Sequence, residues 1–222
     1  MRLGARVSRA AVVLATLFIP RGATHAQDAG AALARAEAAY LASPTLTARF
    51  DQLIINPLIG APEQSSGTLY LERPARFAMR FDEPAGDRIV ADGEWLWAYT
   101  PSAAPGQVFR QPVPTTGAAT PNLFAQFVER PLERYAVEWV RTDRLGDAAA
   151  DVVRLVPLGD DAAFRRAELT IDPAGMLRKL SLIEATGQRR EFTFTAIVPG
   201  AAIPRQEFVF RVPPGVKVVT PS

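Results

Sequence analysis

The stretch "GTLYLERPARFAMRF", Gly67 to Phe81, decides the fold. Leu69 and Leu71 alternate with polar or aromatic neighbours up to Arg73-Pro74, and alternation resumes through Phe77, Met79 and Phe81. Successive side chains of a strand point to opposite faces. The stretch therefore reads as two strands, "TLYLER" and "RFAMRF", joined at Arg73-Pro74-Ala75 and sharing one apolar face. Proline cannot donate to a sheet ladder, so it ends the first strand. Arg73 has the parity of Leu69 and Leu71, which puts a charge on the oily side at the strand's end.

The same period-two pattern extends in both directions. "LTARFDQLII" (46–55) precedes a polar loop over 60–67. "RIVADGEWLWAY" (88–99) is a hairpin turning at Asp92-Gly93, with Trp95, Trp97 and Tyr99 on one face and Leu96 and Ala98 on the other. Shorter runs follow at 107–113, 135–140, 151–158, 165–171, 176–184, 190–197 and 207–212, punctuated by turns such as "DPAG" (172–175) and "ATGQ" (185–188). About eleven short strands with such punctuation predict a mainly β protein, an antiparallel barrel or sandwich. Two helices are expected. Residues 28–42 carry Leu33, Tyr40 and Leu41 as an apolar stripe; residues 119–131 have Thr120 as cap, Pro121 in the first turn and Leu123, Phe124, Phe127 and Val128 as apolar face.

The first 26 residues read as a cleaved secretory signal. Arg2, Arg6 and Arg9 precede the ten-residue apolar run Ala10–Ile19, and small residues lead to a cut after Ala26. Ten residues are too few to span a bilayer. Removing them leaves one domain, 27–222, with 21 basic and 23 acidic groups. Such mixed charge disfavours a nucleic-acid partner.

The only histidine, His25, lies in that segment, and the 222 residues contain no cysteine. Most metal sites, thiol nucleophiles and histidine-based triads need those side chains. A Lys179–Ser181 pair and the acids Asp82, Glu83 and Asp87 are the remaining catalytic candidates, the first a mere strand adjacency and the second a polar turn. No phosphate loop, dinucleotide fingerprint or calcium loop is present. The chain reads as a binder without cofactor, not an enzyme.

"LTARFDQ", "GTLYLERPARF", "IVADGEWLWAYTP", "ATPNLF" and "FVFRVPPGVKVV" occur in the order and spacing of the periplasmic lipoprotein carrier family, LolA, which this chain resembles from about Ala31 to Val219. The resemblance implies an incompletely closed antiparallel β-barrel with helices as a lid over a hydrophobic cavity. It implies a periplasmic monomer that takes acylated lipoproteins from an inner-membrane ABC transporter (LolCDE) and delivers them to an outer-membrane acceptor, LolB. The acceptor itself needs a lipidated cysteine, which is lacking. A lipid- or lipoprotein-sensing regulatory domain of the same fold is the alternative.

Arg73-Pro74 stands where the family has its Arg-Pro motif, and Phe77, Gln52, Asp92, Gly93, Trp97 and Tyr99 also match. Met79 departs from a common aromatic, and the loop Ser102–Gly106 is longer than usual. The resemblance assigns cavity and lid to Arg73, Pro74, Phe77, Met79, Phe50, Leu69, Leu71, Leu96, Trp97, Leu123, Phe124 and Phe127. For Arg73 the expectation is a latch: a guanidinium, with five donors in a fixed fork, bonding the free carbonyls at a lid helix's C-terminus.

Overall fold

The computed structural model describes residues 21–58, 60–113, 122–159 and 163–220, with backbone only for 21–27. The expected cap and first-turn residues Thr120 and Pro121, and most of the signal segment, lie outside the described residues. Helix α1 spans Arg21–Ala42 and leads into β1 (Thr45–Ile55), β2 (Glu63–Glu72), β3 (Arg76–Glu83), β4 (Arg88–Ala91), β5 (Trp95–Tyr99) and β6 (Gln107–Pro112). Two short helices follow, α2 (Leu123–Val128) and α3 (Pro131–Arg134). The chain continues through β7 (Tyr135–Leu145), β8 (Ala148–Pro157), β9 (Phe164–Ile171), β10 (Leu177–Glu184), β11 (Arg189–Pro199) and β12 (Lys217–Val219).

The twelve strands form one sheet in the order β12-β6-β5-β4-β3-β2-β1-β11-β10-β9-β8-β7, with β12 and β7 at unjoined edges. It is an incompletely closed barrel, antiparallel except where β12 runs parallel to β6. The hairpin read from Gly67–Phe81 is in place: Leu71 pairs with Phe77 and Leu69 with Met79. Alternation selects the inner face. Leu46, Ala48, Phe50, Leu69, Leu71, Phe77, Met79, Leu180, Phe192 and Phe194 are all buried there in one cluster. Phe50 lies opposite Gly67 on β2. A Cβ at Gly67 would stand 2.9 Å from the Phe50 ring and 2.1 Å from the carbonyl oxygen of Arg80, so this glycine makes room for the ring and for β3.

Two expectations are corrected. Residues 63–67 belong to β2, not to a loop; Glu63 to Gly67 pair with Ile54 to Phe50 of the long β1, whose ladder carries polar residues that propensity alone would leave out. Residues 207–212 form no strand. They begin in a 3₁₀ turn, Arg205–Phe208, within a strap that crosses the outer face of the sheet. The alternation read there is real: Phe208 is buried and Phe210 stacks on Trp97 at 5.5 Å, in a small outer core with Ala78, Val90, Tyr70 and Ile203. Side-chain parity is satisfied by packing while the backbone joins no strand ladder. The last strand is instead Lys217–Val219, beyond Pro213 and Pro214.

The Asp92-Gly93 turn forms as read, with Gly93 at φ +108°. Asp92 organises it by accepting the N–H groups of Glu94 at 2.9 Å and Trp95 at 2.7 Å, and Nε1 of Trp97 at 3.0 Å. Burial alone would raise this carboxyl, but the bonds from Trp95, Glu94 and Trp97 outweigh it and hold the pKa below its ordinary value. On the opposite edge, β7 carries a register shift between Trp139 and Arg141 against β8.

Candidate functional site

α1 and α2 cover part of the inner face. Ala29, Ala32, Leu33, Ala36 and Tyr40 of α1 are buried against the sheet, a spacing of three and four residues that forms one helical stripe. Leu41 falls off it and is 46% exposed, because eight residues after Leu33 the helix has turned well past the stripe. α1 begins at Arg21, seven residues earlier than expected. It lies over β7, β8 and β9. The turn at Gly175 (φ +83°) approaches so closely that a Cβ there would meet the carbonyl oxygen of Arg35 at 2.4 Å and Ala39 Cβ at 2.9 Å. Arg35 donates to Asp151 of β8 at 2.5 Å.

α2 is shorter than read, because its cap is Asn122 rather than Thr120. Asn122 Oδ1 accepts from the N–H groups of Phe124 and Ala125, both at 3.1 Å, satisfying two of the orphan donors that open a helix. Phe124 then packs on Phe194 at 5.0 Å, and Phe127 on Phe164 at 5.3 Å. Leu123 is half-buried against the same cluster. The hydrophobic interior is thus closed under the helices, with Phe50, Phe127, Phe194, Leu69 and Leu71 all at most 1% exposed.

The two helices are tied to each other. Asn122 Nδ2 donates to Tyr40 Oη at 2.9 Å, and the N–H of Arg130, just past α2, donates to Glu37 Oε1 at 2.9 Å. Arg130 adopts φ +46°, the left-handed conformation that turns the chain from α2 into α3.

Arg73 meets this assembly differently from the expectation. Its backbone N–H donates to the carbonyl of Pro44 at 2.8 Å, fixing the β2–β3 turn to the segment after α1. Its guanidinium lies over the Tyr40 ring, 5.3 Å from the centroid. Among the described residues it donates to no carbonyl, and its Nε is buried without a partner. The residue that takes helix C-terminal carbonyls is Arg134, whose Nη2 donates to the carbonyls of Ala125 at 2.9 Å and Glu129 at 2.5 Å, beside Tyr135 Oη donating to Gln126 at 2.8 Å. Arg134 ends α3, shortly after α2 in sequence, and needs only a short reach; Arg73 approaches from another hairpin and finds the face of an aromatic ring.

Burial pushes Tyr40 up to about 12, with the Glu129 charge adding to the rise, while the Asn122 bond and Arg73 oppose it. Because the folded chain holds this proton more tightly than the unfolded chain, the stabilisation is complete below pH 10 and is lost between pH 10 and 12. Chemical denaturation should therefore give a stability that declines in that window. Tyr40→Phe should flatten part of the decline, the remainder belonging to Tyr135, also raised by burial. An unchanged profile in Tyr40→Phe would refute the assignment.

The sequence-derived set thus falls into two groups. Phe50, Leu69, Leu71, Phe77, Met79, Phe124 and Phe127 come together in the inner cluster, with Leu96 and Leu123 packed against it. Trp97 does not join them; it faces outward onto Phe210, since it has the opposite parity to Leu96 on β5. Pro74 is exposed in the turn. Of the catalytic candidates, Asp87 is buried accepting both Ser102 Oγ at 2.6 Å and its N–H, and Asp82 pairs with Arg49, both structural uses. Sequence reading missed Asn122, Arg134 and Gly175. An Asn immediately before an apolar helical run was the available signal for the first.

The family model described as outer membrane lipoprotein carrier protein LolA matches residues 42–211. The chain belongs to the LolA family. An outer-membrane lipoprotein carrier protein of Chromohalobacter salexigens is 32% identical over 207 residues, covering 92% of this chain and 93% of the relative. A carrier of the same description from Pseudomonas aeruginosa is 29% identical over 206 residues, with 93% and 95% covered. Among solved structures the LolA-family fold recurs in MucB, at a TM-score of 0.50 and 19% identity, over 83% of this chain and 63% of that one. That likeness concerns the fold. No helix of the described residues is long and apolar enough to cross a membrane.

Proposed function

We propose that this LolA-family protein is a non-catalytic periplasmic carrier of acylated lipoproteins, exported through cleavage after Ala26. It takes them from a LolCDE-like transporter and hands them to a LolB-like acceptor. The observation that carries the reading is an apolar inner face closed by a thinly attached lid. The buried stripe of α1 is three alanines, one leucine and a tyrosine, whose burial contributes on the order of 8–11 kcal/mol at about 0.8 kcal/mol per buried carbon. One acyl chain of about sixteen carbons, at the same rate, contributes on the order of 12 kcal/mol when it leaves water. The several chains of an acylated lipoprotein together therefore exceed the hold of the lid on the inner face, and the lid recloses once the cargo has gone. The exchange with a membrane is nearly neutral, because a bilayer is as oily as the barrel, so loading draws on the transporter.

The proposed ligand-facing residues are Phe50, Leu69, Leu71, Phe77, Met79, Leu96, Phe124 and Phe127, with Leu123 on the lid. Arg73 holds the lid through Tyr40. Every buried residue described in α1 follows Ala26, so the proposed cut keeps the stripe of described residues.

Purification of the protein from periplasm, followed by intact-mass spectrometry, tests the reading. Co-purified triacylated or diacylated protein is the expected result. Depletion in cells should leave lipoproteins in the inner membrane; normal sorting after depletion, together with a protein that carries nothing, would sink it.

A further inference from the structure

Among the described residues five polar or charged side chains are buried: Gln52, Asp87, Asn122, Thr170 and Asp172. Asp87, Asn122 and Asp172 are each held by hydrogen bonds. Thr170 pairs with Val152 on the outer parity of the sheet. Gln52 is different. It has the parity of Leu46, Ala48 and Phe50, so it points to the inner face, and its ladder partners are Phe192 and Ser65. It is 7% exposed, and its amide makes no hydrogen bond to a described residue. The amide atoms are not fully enclosed, so solvent at that end of the barrel still reaches them. The neighbouring strands change character at the same level. The inner row of β11 runs Phe194, Phe192, Arg190, and that of β2 runs Gly67, Ser65, Glu63. Beyond Phe50 and Phe192 this face therefore carries Gln52, Ser65, Arg190 and Glu63, with Ile54 half-buried among them.

We infer that Gln52 is the floor of the acyl site and sets the length of chain that the protein prefers. The inference rests on the carrier reading and adds a specificity-determining residue to it. From the inner pair Leu46–Leu71, at the other end of the same face, to Gln52 is six residues of β1, about 20 Å at about 3.4 Å per residue. An all-trans hydrocarbon advances about 1.25 Å per carbon, the projection of a bond of about 1.5 Å, so about 16 carbons fill that track. The head of the chain stays at the Leu46–Leu71 end, and its methyl end stops at Phe50 and Phe192. A longer chain presses on the amide, strips away the solvent that satisfies it and offers no hydrogen bond in return, which is costly for a buried amide. A shorter chain stops early and forgoes part of the apolar contact.

The test is displacement of a fluorescent apolar dye by one synthetic peptide carrying a single acyl chain of about 12, 14, 16, 18 or 20 carbons, a series centred on the inferred track length. Each is used below the concentration at which it aggregates. Wild type should tighten roughly tenfold for every two carbons up to about 16, the gain of burying two methylenes, and should gain nothing further for the two longest chains. Gln52→Met, of similar shape without the amide, should raise the affinity for the longest chain relative to the shortest by at least about fivefold over wild type. A wild-type affinity that climbs evenly through the whole series overturns the inference and leaves the carrier intact. So does a Gln52→Met variant that keeps the wild-type profile, or that shifts every peptide by one factor, the mark of a structural or head-group role. Wild type that binds none of the peptides removes the carrier reading and this one with it.

Discussion

Gly175→Val should lift α1 and raise binding of an apolar dye several-fold while the twelve-stranded sheet stays folded. The glycine has two reasons to be there. Its φ of +83° disfavours any side chain, and its Cα hydrogen faces the backbone of Arg35, where a Cβ would sit at 2.4 Å. The first reason applies equally to Gly187, at φ +89° in the β10–β11 turn, but there the nearest atom to a built Cβ is Pro57 Cγ at 4.0 Å. Gly187→Val is therefore the matched control: the same backbone strain, of about 1–3 kcal/mol, without the collision. Strain alone lowers the melting temperature of both. Only Gly175→Val should also expose the inner face to dye and lose the Arg35–Asp151 ion pair. Equal dye binding by the two variants would show that α1 does not rest on this turn.

Gly67→Ala should be the most destabilising single methyl that can be added to the inner hairpin. The new carbon would stand 2.1 Å from the Arg80 carbonyl oxygen, a backbone atom of a paired strand, and 2.9 Å from the Phe50 ring. Phe50 cannot retreat easily. It meets Phe81 edge-on at 5.2 Å and Phe192 at 6.5 Å, and is 1% exposed. Overpacking of this kind costs about 3 kcal/mol, which for a domain of this size lowers the melting temperature by roughly 6–12 °C. Calorimetry decides it, and a shift below about 2 °C would mean that β2 and β3 can part without penalty. Phe50→Leu in the same background should recover part of the loss by relieving the ring contact.

The strands were legible because most are half-buried. Leu69, Leu71, Phe77 and Met79 announce their face by alternation, and the register confirms each pairing. The strap shows the limit of that signal. Phe208 and Phe210 alternate as faithfully as any strand, yet parity reports which side chains are buried and is silent on whether the backbone has a partner. Helix ends depended on single polar atoms, so the cap moved from Thr120 to Asn122 and the helix shrank with it. Of the lid contacts, the apolar ones were visible in Leu33, Tyr40, Phe124 and Phe127. The polar ties were not, because Tyr40 to Asn122 and Glu37 to Arg130 join residues more than eighty positions apart. The placement of Arg73 on the oily side was readable; that it would rest on an aromatic face, leaving the carbonyls to Arg134, needed the third dimension.

The bulge between Trp139 and Arg141 bears on life in a crowded compartment. β7 is the long unpaired margin of the sheet, eleven residues of open backbone, and such margins invite stacking with a neighbouring copy. In the carrier cycle proposed above, each rise of α1 takes away part of that margin's cover. An interrupted ladder, with Glu138, Arg141, Asp143 and Arg144 spaced along it, is a poor template for fibre growth. In that proposed cycle the kink and its charges guard the bared edge against pairing with a second copy.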